Sequence, residues 1–174
     1  MHLSIKEAFD PEGVAAGVLY SHGIGMLMST YSKLHFHVVF ATKNRMPCLD
    51  KAWRPQLWEY MGGTIRGLGG VPHGVGGFND HVHLLVDLKP TQVIADLLRE
   101  LKKASTEWIR KNTKVKTFQW QEGYGVFSVG WREKDIIKRY IADQEAHHDK
   151  KTFHEEYLAM LKEAGVDFDP RYVH

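Results

Sequence analysis

The sequence predicts an α+β domain of the split β-α-β, ferredoxin-like kind: an antiparallel sheet built in β-α-β-β-α-β order, with additional C-terminal helices. Three observations predict it. Residues 34–41 (LHFHVVFA) and 81–88 (HVHLLVDL) are dense in β-branched and aromatic side chains, as strands are. Ile94, Leu97, Leu98, Leu101, Trp108 and Ile109 recur at the 3.6-residue period of a helix with one apolar face. An Asn79-Asp80 turn folds residues 71–78 back onto residues 81–88 as a hairpin.

The remaining elements follow in order. Asp50 is placed to cap a helix that runs through Trp53, Leu57, Tyr60, Met61 and Ile65 and stops at Gly67-Leu68-Gly69-Gly70. Residues 71–78 read as a weak, glycine-laden strand, and Pro90-Thr91 opens the second helix. Residues 124–130 (YGVFSVG) form the fourth strand, residues 135–148 a helix, and residues 152–164 another. Two helices cover one face of such a sheet, and the other face is open to a further helix or a ligand.

A chain of 174 residues fits one domain with an appendage. Residues 1–28 show no sustained periodicity and lack the pattern of a signal or transit peptide. They read as an N-terminal extension, disordered or the product of a mis-assigned start, with the working domain at 29–174. No apolar run approaches the roughly 20 residues needed to cross a bilayer. The lone Cys48 excludes an intramolecular disulfide and a cysteine-based zinc site, which suits a reducing cytoplasm.

Net charge is only +2, yet residues 1–28 carry −2 and the remainder +4. Seven bases against two acids crowd residues 99–116, among them Lys102, Lys103 and Arg110. Such a stripe is compatible with a nucleic-acid backbone, although alone it reads more readily as a solvated helix face. Lys43 and Arg45, leaving the first strand, are further candidates for reading phosphate or base.

His81-Val82-His83 places two imidazoles on one face of a strand, where both can bind one ion. His35-Phe36-His37 repeats the spacing, and these two are expected to line the sheet face or touch substrate. Tyr140 and Gln144 are neighbours on one helix face. A phenol with an ordinary pKa of about 10 needs a cation or base beside it to attack at neutral pH, and Lys138 and Arg139 adjoin it. The Gln144 carbonyl is a third oxygen or nitrogen donor suited to Mg²⁺ or Mn²⁺. Two imidazoles and one amide, with no carboxylate, would leave the metal's charge for phosphate oxygens. His147-His148 reads as a polar helix end or an extension of the metal site.

His81-Val82-His83-Leu84-Leu85-Val86, Tyr140-Ile141-Ala142-Asp143-Gln144 and Gln144-Glu145-Ala146-His147-His148 together resemble the single-tyrosine HUH transposases of small insertion sequences (TnpA-like, transposase 17 type). The opening residues 32–40 with Lys43 and Arg45 are similar to that family's first strand. The resemblance implies a metal-dependent DNA strand transferase that works as a homodimer on single-stranded DNA hairpins at element ends. Tyr140 would be the nucleophile that forms a 5′-phosphotyrosine, and His81, His83 and Gln144 the ligands of Mg²⁺ or Mn²⁺. Lys43, Arg45, Lys102, Lys103, Arg110, Lys138 and Arg139 would contact DNA. The tyrosine helix of such proteins commonly docks on the partner subunit's site. Gln144 with the His-His pair favours the mobile-element branch over relatives tied to repeated extragenic palindromes. The alternative is a domesticated, non-mobile hairpin-binding protein of the same fold.

Overall fold

The computed structural model describes residues 31–145 and 152–169. The expected extension at 1–28 and the His147-His148 pair lie outside the described residues. The elements are β1 (His35–Ala41), a short 3-10 turn (Lys43–Arg45), α1 (Arg54–Gly67), β2 (Val71–Gly77), β3 (His81–Asp87), α2 (Ile94–Asn112), β4 (Gly125–Val129), α3 (Lys134–Ala142) and α4 (Phe153–Glu163). The four strands form one antiparallel sheet in the order β2-β3-β1-β4. This is the expected split β-α-β order with additional C-terminal helices. Among the described residues no helix is long and apolar enough to cross a membrane.

Strand periodicity divides the sheet into two chemically different faces. On one, Val38, Phe40, Val82, Leu84 and Val86 meet Leu57, Met61 and Ile65 of α1 and Leu97, Leu98, Leu101 and Ile109 of α2. Each such large apolar side chain, once fully buried, contributes on the order of 2 kcal/mol. The other face carries His35, His37, His81, His83 and Asp87, all buried. The aliphatic members of that face, Val39 and Ala41, pack with Phe153, Tyr157 and Met160 of α4. The face that two helices leave open is therefore roofed by α3 and α4.

Element ends differ from the sequence expectation where tertiary contacts override local signals. Asp50 accepts the Ala52 N–H at 2.8 Å, one turn early, and α1 begins beyond it with Trp53 as N-cap and Pro55 in its first turn. Pro90-Thr91 belongs to a turn closed by the Gln92 N–H on the Lys89 carbonyl at 2.9 Å, and α2 starts at Ile94. Thr152 closes a full capping box with Glu155 at the start of α4.

The most consequential difference is in the tyrosine helix. The sequence predicts one helix over 135–148, but α3 ends at Ala142 with Asp143 as its C-cap, and Gln144 and Glu145 are helical again beyond it. No Gly or Pro explains the break. Its two sides are held separately: Ile141 against β2, and Glu145 by Lys51 at 2.7 Å and Arg54 at 3.2 Å.

The glycines that made β2 look weak are what seat α3. A Cβ on Gly76 would stand 2.4 Å from the Ile141 carbonyl oxygen and 2.9 Å from its Cγ2. Backbone cannot yield as a side-chain tip can, so Gly76 fixes the height of α3 above the sheet. Gly76→Ala should destabilise the protein by about 1–3 kcal/mol through this overpacking. Gly63→Ala, on the exposed face of α1 with nothing within 4 Å, should be neutral or stabilising by up to about 1 kcal/mol. Urea denaturation midpoints compare the two, and equal shifts would show that α3 does not rest on Gly76.

Candidate metal and nucleophile site

The site begins at the β2–β3 turn. Gly77, at φ 152°, passes so close to the His81 carbonyl that a Cβ would lie 2.3 Å from that oxygen. The turn thereby delivers Asp80 beside His81. The Asp80 carboxylate holds His81 Nδ1 at 2.7 Å, leaving Nε2 directed into the space under α4. His83, one pleat further along the same face, has its Nδ1 against His37 Nε2 at 2.9 Å. Burial pushes the His37 imidazole down to about 4, so it is neutral near pH 7 and accepts the His83 N–H. Both histidines thus have one ring nitrogen oriented by a neighbour, the arrangement that fixes tautomers around metal ligands.

Their Nε2 atoms converge on Glu156 of α4. His83 Nε2 is 3.5 Å from one Glu156 oxygen and His81 Nε2 is 4.0 Å from the other. His81, His83 and Glu156, all buried, form a group able to hold a metal ion. Gln144 joins them: its Oε1 is 3.1 Å from His81 Nε2 and its Nε2 donates to Glu156 at 3.1 Å. Burial first, and the negative Asp80 second, push the Glu156 carboxyl up to about 8. A divalent cation between these groups would reverse that penalty, so the donor set fits one.

Glu156 joins this group, where the sequence reading expected a set without a carboxylate. The pattern carries a signal for it. Glu156 interrupts the apolar stripe of α4 made by Phe153, Tyr157, Met160 and Leu161, and its side chain is 3% exposed. A buried acid on an apolar stripe asks for a partner. Asp80 was read only as a turn residue; its second use, orienting His81, depends on the turn's three-dimensional shape.

Tyr140 comes to the same place from α3. Its ring stands edge-on to His83 with centroids 5.7 Å apart and to His37 with centroids 6.1 Å apart. It is half-buried and lines a cleft of about 540 Å³ together with His37, Phe127, Ile137, Glu156 and Met160. The break after Ala142 explains how Tyr140 can border this cleft while Gln144 is buried beside His81. Within this one chain α3 seats its tyrosine against its own histidines.

The basic candidates fall into three places. Lys43 and Arg45 lie in the turn after β1, beside the His81 turn, because the Thr42 N–H donates to the Asp80 carbonyl at 2.7 Å. There Asn44 and Arg45 adopt left-handed φ of 58° and 52°, and Lys43 Nζ donates to Gln119 at 2.8 Å. Lys138 and Arg139 are exposed on α3 next to Tyr140. Lys102, Lys103 and Arg110 lie on α2, across the sheet from the histidines, along a surface cavity of about 500 Å³ that Trp120 and Tyr124 also line. Two of these three also hold structure. Lys102 donates to the carbonyls of Gln121, Glu122 and Gly123 at 2.9–3.1 Å, and burial lowers it to about 8. Arg110 donates twice to the Phe118 carbonyl.

Comparison with known proteins bears on this arrangement. No curated protein matches the chain. Among solved structures, a "putative transposase" from Deinococcus radiodurans is 26% identical, with a TM-score of 0.55 over 71% of this chain and 96% of that one. A REP-associated tyrosine transposase bound to a REP hairpin shares the fold, at 17% identity and a TM-score of 0.52 over 70% of this chain and 74% of that one. The family model described as "Transposase IS200 like" matches residues 30–144, which take in all four strands, the histidine pair, Tyr140 and Gln144. A match over that span, on a sheet that brings those same side chains together, places this chain in the IS200-like transposase family.

Proposed function

We propose that this protein cleaves and rejoins single-stranded DNA through a covalent tyrosine intermediate. The observation that carries the reading is the Tyr140 ring standing edge-on to His83, in a cleft that Glu156 of the His81, His83 and Glu156 group also lines. Family membership supports the reaction class, and the geometry supports the roles.

Tyr140 Oη attacks the scissile phosphorus. The new bond joins tyrosine oxygen to phosphorus, the P–O3′ bond breaks, and the phenolic proton is lost as the 3′-hydroxyl gains one. The products are a 5′-phosphotyrosine and a free 3′-OH, so the phosphoester energy is retained for rejoining to another 3′-OH. His81, His83, Glu156 and Gln144 would hold Mg²⁺ or Mn²⁺, which when bound polarises a non-bridging phosphate oxygen. Asp80 and His37 keep the two imidazoles in place for that role.

Lys43 and Arg45 beside the His81 turn, and Lys138 and Arg139 beside the tyrosine, are positioned to hold the DNA backbone around the cleft. Lys103, with Lys102 and Arg110, offers a second basic surface on α2. The relative bound to a REP hairpin supports a folded single strand as the ligand. A homodimer is part of this reading, with α3 able to exchange its tyrosine between its own site and that of a second copy.

Incubated with a single-stranded hairpin substrate and Mg²⁺ or Mn²⁺, the protein should give a covalent protein–DNA band on a denaturing gel. Tyr140→Phe should abolish that band while hairpin affinity changes by less than about twofold, and a persistent band would remove Tyr140 from the nucleophile role. Glu156→Gln keeps the shape and removes the charge. It should weaken Mn²⁺ binding about 10- to 100-fold and shift cleavage to higher metal concentration, as should His81→Ala. Undiminished Mn²⁺ affinity in Glu156→Gln, measured by calorimetry, would exclude the carboxylate as a ligand.

A further inference from the structure

A second group of metal-ligating side chains lies on the same sheet face, at the far end of the strands from the nucleophile site. His35 opens β1, Asp87 closes β3, and His73 sits in β2; one ligand atom from each lies within 4.8 Å of the other two. Asp87 is four residues beyond His83 on a strand, about 13 Å away, so the two groups share no side chain.

Three strands converge to make this cluster. The sheet register sets His35 directly opposite Asp87 across β1 and β3. On the other side of β3, Val71 pairs with Asp87, Pro72 with Val86 and Gly74 with Leu85, so a bulge leaves His73 as the extra residue. Bulges re-aim side chains, and this one turns His73 Nε2 to 2.9 Å from Asp87 Oδ1. His35 Nδ1 contacts the same Asp87 oxygen. The imidazoles meet edge-to-face, with centroids 5.6 Å apart.

The donors have the chemistry of a cation site. Burial raises the Asp87 carboxyl, but hydrogen bonds from Lys33 and His35 and the adjacent His73 imidazole outweigh it and hold it at about 2, so it is ionised at neutral pH. Lys33 Nζ occupies the other carboxylate oxygen, Oδ2, at 2.7 Å, as an outer partner that orients the group and leaves Oδ1 to the histidines. His73 Nε2 is buried yet makes no well-aligned hydrogen bond, because Asp87 Oδ1 lies off its N–H direction. An imidazole nitrogen close to a carboxylate but not aimed along a hydrogen bond is placed to share an ion with it.

We propose that His35, His73 and Asp87 bind a transition-metal dication of the Zn²⁺ class, pinning β1, β2 and β3 together at the end opposite the nucleophile. Two imidazoles and one carboxylate suit Zn²⁺, with water in the fourth position, and disfavour Mg²⁺, which requires oxygen donors. Tetrahedral ligation requires ligand atoms about 3.3 Å apart, so on binding the His73–Asp87 contact opens by about 0.4 Å and the shorter His35–Asp87 contact by more. The His73 and Asp87 side chains, 16% and 11% exposed, supply the way in.

The test uses the full chain with His81→Ala and His83→Ala, which removes the first site's imidazoles. Calorimetric titration with ZnCl₂ should show one tight equivalent, and thermal unfolding should move upward with Zn²⁺. Adding His73→Ala, or His73→Gln as a bulkier replacement that keeps the bulge filled, should weaken that equivalent at least tenfold and remove the upward shift. Mg²⁺ should produce neither effect. A background protein that takes up no Zn²⁺, or His73 variants that bind it as the background does, would overturn the proposal. Asp87→Asn gives an independent arm: Co²⁺ absorption typical of a tetrahedral site should be present in the background and lost in this variant, and its persistence would count equally against the assignment.

Discussion

Everything functional in this protein depends on one constraint, the antiparallel register of β1 on β3. Val39 opposite His83 and Ala41 opposite His81 set small aliphatic side chains beside the two imidazoles, giving α4 room to descend onto them. The same register sets His35 opposite Asp87 at the other end. A slip of one residue would turn the histidines into the α1–α2 core and bring Val82 and Leu84 under the tyrosine. The apolar face enforces the register: Val38, Phe40, Val82 and Leu84 are at most 1% exposed against two helices, so their burial would be lost with any slip.

That anchoring permits a polar assembly that could not stabilise itself. His81, His83, Gln144 and Glu156 are each nearly inaccessible to solvent, and burying such groups is costly unless each finds partners. They find them in one another and in Asp80 and His37. Outside this group, Lys51 and Arg54 at the start of α1 hold Glu145, and so fix the residue next to Gln144 from the far side. Hydrogen bonding to Lys51 keeps the Glu145 carboxyl below the ordinary range, the opposite of what burial does to Glu156. Two acids of one short C-terminal region thus take opposite electrostatic roles, one as a clamp in solvent and one as a buried donor that invites a cation.

The tyrosine is less deeply buried than the histidines it faces. α3 rests on β2 through Ile141 over Gly74 and Gly76, while Tyr140 remains half-buried at the edge of the cleft. The break after Ala142 separates the helix that carries Tyr140 from Gln144, which is buried beside His81.

The sequence by itself determined the element order and the sheet with one apolar and one histidine-bearing face, and it singled out His81, His83, Tyr140 and Gln144, which the fold brings together. These are legible because they reside in periods of 2 and 3.6 residues and in short motifs, which local stereochemistry imposes directly. Only the tertiary structure decided that Glu156 meets His81, His83 and Gln144, that Asp80 and His37 orient the imidazoles, and that the tyrosine helix stops at Ala142. It also decided that His73 is turned by a bulge toward His35 and Asp87. The physical reason is separation along the chain. His81 and Gln144 meet across 63 residues and His35 and Asp87 across 52, and such contacts are fixed by strand register, a bulge and the seating of α3 and α4. No local pattern encodes those, because each is settled by what the opposite face of the sheet must bury.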